Sequence, residues 1–135
     1  MHLFTYGSLM FPQVWSRVMG GTHTSRRATI TGYSRRQLPG EVHPALVADP
    51  DASVTGVLYS GLTQPELDRL DRFEGEDYPR ISVRAVPETG AEVEAFVYIY
   101  AHPEKTSPDL WDPERFEREG LQHFLEHYAG WSAGT

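Results

Sequence analysis

Three acids crowd one short segment: Glu74, Glu76 and Asp77. Leu67, Leu70 and Phe73 recur at helical spacing before them, and Gly75 supplies a helix stop. Glu74 therefore falls at the C-terminal end of a predicted helix, where the helix dipole disfavours a carboxylate. Desolvation and like charge both push a carboxyl pKa upward. A glutamate raised toward neutral pH can take a proton and return it, which is general acid–base chemistry. Glu76 is a rival for the same role. A solvated acidic loop would carry the same residues.

A second group is Tyr6-Gly7-Ser8-Leu9, with Met10 beside it. A strand that ends in Gly-Ser and turns into a helix exposes several backbone N–H groups at one spot. Such a nest suits a carboxylate or another anion, and glycine lets a ligand approach the backbone closely. An ordinary strand-to-helix turn would look the same. Beyond the acids, Tyr78 could orient a ligand through its hydroxyl. Arg80 could pair with Glu74 or with a ligand carboxylate.

Other chemistries find less support. His123-Phe124-Leu125-Glu126-His127 matches H-x-x-E-H, a zinc-hydrolase pattern. Phe124 and Leu125 belong to an apolar stripe, however, so the histidines read as helix surface and no metal is expected. Ser8 and Ser34 lack a G-x-S-x-G context, and neither nucleotide-binding glycine motif is present. No cofactor is expected.

Elements that would position these residues follow from local pattern. Residues 3–6 read as a short strand, and 11–19 as a helix with Pro12 in its first turn and Gly20-Gly21 at its end. Residues 24–38 form an extended strand bent at Gly32. A short apolar stretch, 43–48, precedes a predicted turn at Asp49-Pro50-Asp51, and a further strand covers 54–61. Thr63-Gln64-Pro65-Glu66 is a capping box, with Leu62 and Leu67 as a hydrophobic staple, and it opens the helix that ends at Glu74. Residues 81–86 and 93–100 alternate as two strands joined by a hairpin turn at 87–90. Residues 102–112 read as a loop. Asp112-Pro113 opens a last helix with its apolar stripe at Phe116, Gly120, Leu121, Phe124, Leu125 and Tyr128. The expected class is α+β: a small mixed β-barrel-like sheet with flanking helices, one domain over residues 1–135.

Composition sets outer limits. The chain has 135 residues, 39% hydrophobic and 23% charged, which is globular rather than disordered. It has no cysteine, which removes disulfides and thiolate chemistry and fits a reducing compartment. A net charge of −7 argues against nucleic acid, since the basic pairs Arg26-Arg27 and Arg35-Arg36 are short. No apolar run approaches the roughly 20 residues of a membrane span, and no signal peptide is read at the start. A cytoplasmic protein is expected. Nothing marks an interface, so the oligomeric state is open and a monomer is the leaning.

Taken in order, these segments resemble a known family. Leu3 to Leu9, Thr31-Gly32-Tyr33 with Arg35, Pro44 to Val47, Val54 to Leu58, and Leu67 to Gly75 with Tyr78 and Arg80 are similar to the γ-glutamylcyclotransferase superfamily, most closely to its plant avirulence-induced-gene-like branch. The resemblance implies a small barrel. It also implies a turn, Tyr6 to Leu9 and Met10, that holds the α-amino-acid end of a small γ-glutamyl substrate. Glu74 is then the acid/base. The implied reaction is attack of the substrate's own α-amine on its γ-carbonyl, releasing 5-oxoproline and an amine, without metal or cofactor. Loop 102–111 and the last helix would line the leaving-group pocket. A non-catalytic binding module of the same fold is the alternative.

Overall fold

The alternating apolar residues of the sequence close into a barrel. The structure, a computed structural model, describes residues 1–21 and 23–128. Five strands, β1 (Leu3–Thr5), β2 (Thr24–Gln37), β3 (Pro44–Ser60), β4 (Arg80–Pro87) and β5 (Val93–Tyr98), pair in the closed order β1-β3-β2-β4-β5. All pairs are antiparallel except β1 with β5, so the sheet is mixed. That parallel closure rests on the register of Leu3 with Phe96, where the Phe96 N–H donates to the His2 carbonyl at 2.9 Å.

Successive side chains of a strand face opposite ways, and the two faces bury separate cores. Phe4, Ile30, Leu46, Leu58 and Val97 pack inside the barrel. Leu3, on the other face of β1, joins Leu67, Leu70, Phe73 and Phe124 between barrel and helices. Helix α1 (Pro12–Met19) begins after Phe11, which serves as N-cap, and ends at Gly20, whose φ of 70° is the left-handed C-cap. Its Trp15 stacks on Tyr59 with ring centroids 3.6 Å apart. Helix α2 (Gln64–Glu74) starts in the predicted capping box: the Thr63 N–H donates to Glu66 Oε1 at 2.9 Å and the Glu66 N–H to Thr63 Oγ1 at 3.4 Å. It stops at Gly75.

Two expectations are corrected. The Asp49-Pro50-Asp51 segment is no turn between two elements, because β3 runs through it. The register passes from Tyr33 opposite Ala48 to Thr31 opposite Ser53, so residues 49–52 bulge against Gly32. Proline is tolerated there because a bulge asks it for no ladder hydrogen bond. The last helix is also not uniform. It runs as α3 (Pro113–Arg115), a π-helical turn (Phe116–Gly120) and α4 (Leu121–Tyr128), with the Leu121 N–H bonded to the Phe116 carbonyl. Asp112 caps it, accepting from the Glu114 N–H at 2.9 Å. Phe116, Gly120, Leu121 and Phe124 are buried and Leu125 half-buried; the Tyr128 side chain lies outside the described residues. Among the described residues no helix is long and apolar enough to cross a membrane.

Gly56 shows how tightly β1 is held. A Cβ there would run into the Thr5 carbonyl and come within 3.0 Å of the Phe4 ring. Gly56→Ala is expected to cost about 1–3 kcal/mol, the range for overpacking a core. Urea denaturation of the variant checks this, and an unchanged midpoint would refute the close approach.

Candidate active site

A cavity of about 250 Å³ opens where β1 hands over to α1. β1 ends at Thr5, Tyr6 follows, and residues Ser8–Met10 wind into a single 3-10 turn. The Met10 N–H donates to the Gly7 carbonyl at 3.0 Å and the Phe11 N–H to the Ser8 carbonyl at 3.1 Å. The preceding amides, of Gly7, Ser8 and Leu9, donate to no described residue. Gly7, Ser8 and Leu9 all line the cavity. Glycine is required at position 7 because a Cβ would stand 2.9 Å from the Pro44 ring.

The turn is fixed from several directions. Tyr6 points its hydroxyl through the barrel end to the Tyr98 carbonyl at 2.6 Å. Tyr59 donates to the Leu9 carbonyl at 3.0 Å. Arg35 donates to the Tyr6 carbonyl at 3.0 Å. Burial, and then the charge of Glu74, raise the Tyr6 phenol well above its ordinary value. It stays a neutral donor.

Glu74 faces this turn across the cavity. It closes α2, and Phe73 and Glu74 both line the wall. Its carboxyl has no hydrogen-bonding or ionic partner among the described residues. Burial alone pushes its pKa up to about 8. The neighbouring acids add nothing to this shift, although the sequence suggested that like charge would help. Glu76 is exposed and does not line the cavity. Asp77 does line it, at the rim; its carboxylate pairs with His102, whose Nε2 is 2.9 Å away, and its backbone carbonyl accepts from the Ala101 N–H at 2.8 Å.

The remaining candidates divide. Tyr78 lines the cavity, but its hydroxyl donates to the Pro44 carbonyl at 3.1 Å, so the ring forms the wall. Arg80 does not pair with Glu74. Its Nε and Nη2 reach Asp71 at 2.9 and 3.3 Å, and its guanidinium lies 4.5 Å from the centre of the Phe96 ring. It faces a neighbouring groove instead. Met10 is half-buried outside the cavity, its Sδ 3.9 Å from Arg35. Loop 102–111 does not line the cavity either. It is tied to β2, where the Ser107 N–H donates to the Gln37 carbonyl at 2.9 Å, and His102 alone reaches toward the rim. The C-terminal helix does contribute, through Phe124. His123 is exposed, the His127 side chain lies outside the described residues, and no described cluster of three acids or histidines could hold a metal.

Sequence reasoning missed His43, Pro44 and Tyr98 as lining residues. These come from β3, β5 and the segment before β3, and they converge through barrel closure rather than through any local spacing. Pro44 lay inside a matching segment and Tyr98 in the predicted strand 93–100, but nothing local marked which way their side chains face.

Comparison with known proteins gives this site a context. A family model described as "Gamma-glutamyl cyclotransferase, AIG2-like" matches residues 3–118. AIG2-like protein A of Arabidopsis thaliana is 32% identical over 130 residues, covering 94% of this chain and 78% of that protein. An Arabidopsis thaliana protein solved in solution superposes with a TM-score of 0.71 at 30% identity, covering 94% of this chain and 87% of that one. A crystal structure of an AIG2-like protein from Mus musculus superposes with a TM-score of 0.61 at 31% identity, covering 77% and 80%.

The Glu74 shift has a consequence for stability. Its carboxyl moves from 4.5 to about 8 on folding, so between these values the folded chain holds a proton that the unfolded chain has released. That stabilisation is complete below pH 4.5 and is lost as pH rises through about 8. Glu74→Gln keeps the shape and lacks the titration. Its stability advantage over wild type is expected to grow across this window by up to about 5 kcal/mol. Urea denaturation at several pH values checks it, and parallel curves for the two proteins would contradict a desolvated Glu74.

Proposed function

Because the chain belongs to the gamma-glutamyl cyclotransferase, AIG2-like family, we propose that it is a cyclotransferase releasing 5-oxoproline from a small γ-glutamyl amide, with Glu74 as general acid/base. The observation that carries this reading is the pairing, across one cavity, of a desolvated carboxyl with three unpartnered backbone amides. The amides of Gly7, Ser8 and Leu9 take the substrate α-carboxylate. The α-ammonium then comes to Glu74.

The chemistry needs no protein nucleophile. Holding the substrate folded back supplies the orientation term. Glu74 accepts a proton from the α-ammonium. This transfer removes two opposite charges at once, and a glutamate raised to about 8 is well matched to an α-amine of ordinary pKa near 8. The freed amine attacks the γ-carbonyl carbon. The new C–N bond closes a five-membered lactam, the old amide C–N bond breaks, and Glu74 delivers its proton to the departing amine. Electrons and protons balance without any further reactant. General acid–base catalysis of this kind contributes about 10² to 10⁴ in rate. Phe73, Tyr78 and Phe124 exclude water around the folded substrate.

The test is 5-oxoproline release from a panel of γ-glutamyl amino acids and γ-glutamyl amines, followed by mass spectrometry. Glu74→Gln should keep its fold and lose at least about 100-fold in turnover. For wild type, kcat/KM should climb through the neutral range toward a limb near pH 8, where free Glu74 ionises. A Glu74→Gln protein that turns over normally would sink the assignment. No product from any panel member would favour a binding module built on the same cavity.

A further inference from the structure

The mechanism uses the amides of the turn and leaves the cation behind them unexplained. Arg35 stands on β2, half-buried, and does not line the cavity. Its Nη1 donates to the carbonyls of Tyr6, at 3.0 Å, and Thr55, at 3.2 Å. The Trp111 ring covers it, with the guanidinium carbon 5.5 Å from the ring centroid. The Trp111 backbone N–H donates to the Arg35 backbone carbonyl at 3.0 Å. Asp112 is the acid whose charge reaches it, but no described carboxylate forms an ion pair with it.

The Tyr6 carbonyl and the Gly7 N–H belong to one peptide unit. That unit is trans, so the two groups point in opposite directions. The carbonyl faces Arg35, and the N–H therefore faces away from it. Gly7 lines the cavity and Arg35 does not. A cation bonded to a carbonyl draws density from the peptide and strengthens its N–H as a donor. The cavity lining itself carries two carboxyl groups, Glu74 and Asp77, and no lysine or arginine. Without a cation behind the wall, an incoming carboxylate would meet Asp77 at the rim and no lysine or arginine to balance its charge.

We propose that Arg35 is a positioning residue for the turn, polarising and fixing the Gly7 amide through the Tyr6–Gly7 peptide so that the cavity accepts a carboxylate. This rests on the carboxylate-binding half of the proposed function, but not on turnover. Its role is electrostatic, acts through the backbone and requires no contact between Arg35 and the ligand.

The test is an NMR titration of the full chain with L-5-oxoproline and, in parallel, with 5-oxoprolinamide, which lacks the carboxylate charge. Arg35→Gln keeps a donor for the Tyr6 carbonyl and loses the charge. It should weaken 5-oxoproline binding by about tenfold, the scale of one charge-assisted hydrogen bond, and leave the amide within about twofold. The Gly7 amide nitrogen resonance of the free protein should move with the substitution. Arg35→Lys should recover most of the preference for the carboxylate. Equal loss of both ligands in Arg35→Gln would reduce Arg35 to a shape role and overturn the proposal, as would no loss of either. If Arg35→Gln fails to fold, Arg35→Lys decides: it must keep the wild-type ratio of the two affinities. A wild-type protein that binds no 5-oxoproline refutes the proposal directly. Turnover with carboxylate binding indifferent to Arg35 defeats this inference alone. Arg35-dependent binding without turnover defeats the enzymatic reading alone.

Discussion

Everything at the site hangs on β1, a strand of three residues that must be held along both edges. Leu3, Phe4 and Thr5 pair with Tyr59, Leu58 and Val57 on one side, and Leu3 meets Phe96 on the other. A strand so short makes few ladder bonds, and its position is secured instead by what it buries. Leu3 and Phe4 are each almost wholly removed from water, on opposite faces and in different cores. One strand thus pins the barrel interior to the helical layer. The turn that follows inherits that rigidity, and preorganised amides need it, because donors that must reorganise lose much of their effect on a developing or bound charge.

Glu74 illustrates the opposing demand. A carboxyl without a polar partner, raised to about 8, lowers stability at alkaline pH. The fold tolerates it because α2 is anchored at its other end by the capping box and along its length by Leu67 and Leu70, both fully buried. Asp71, one turn before Glu74, is held by both Arg80 and the Tyr98 hydroxyl, at 2.9 and 2.7 Å. The helix end is therefore clamped on the outside while its last residue faces the cavity. Strain of this kind is concentrated where proton transfer would need it.

Much of this was legible in the sequence, and the parts that were not share a physical reason. Local chemistry announced itself: Thr63 and Glu66 marked the start of α2, Gly75 its end, and Gly7-Ser8 the break after β1. Glu74 could be singled out from its place on the helix. Features that depend on closure could not. Asp49-Pro50-Asp51 has turn composition, yet pairing with β2 over a long register carries β3 straight through it as a bulge. Arg80 was expected near Glu74 because both are close in the chain, but Asp71 lies nearer in space. Arg35 stood in a matching segment with no local hint that its guanidinium would meet a carbonyl 29 residues away in sequence.

The π-helical turn at Phe116–Gly120 bears on how such a cavity can be inherited and altered. An i→i+5 turn holds one residue more than an α-helical one, and each residue of a helix advances the direction of its side chains by about 100°. With that extra residue Phe124 reaches the cavity and Leu125 stays at its margin. Loss of one codon within the turn would let it close as an ordinary α-helical turn and leave Phe124 facing that wall, with the barrel, the amides and Glu74 in place. The wide turn thus absorbs the gain or loss of one residue without turning the cavity-facing side of α4 away from the site.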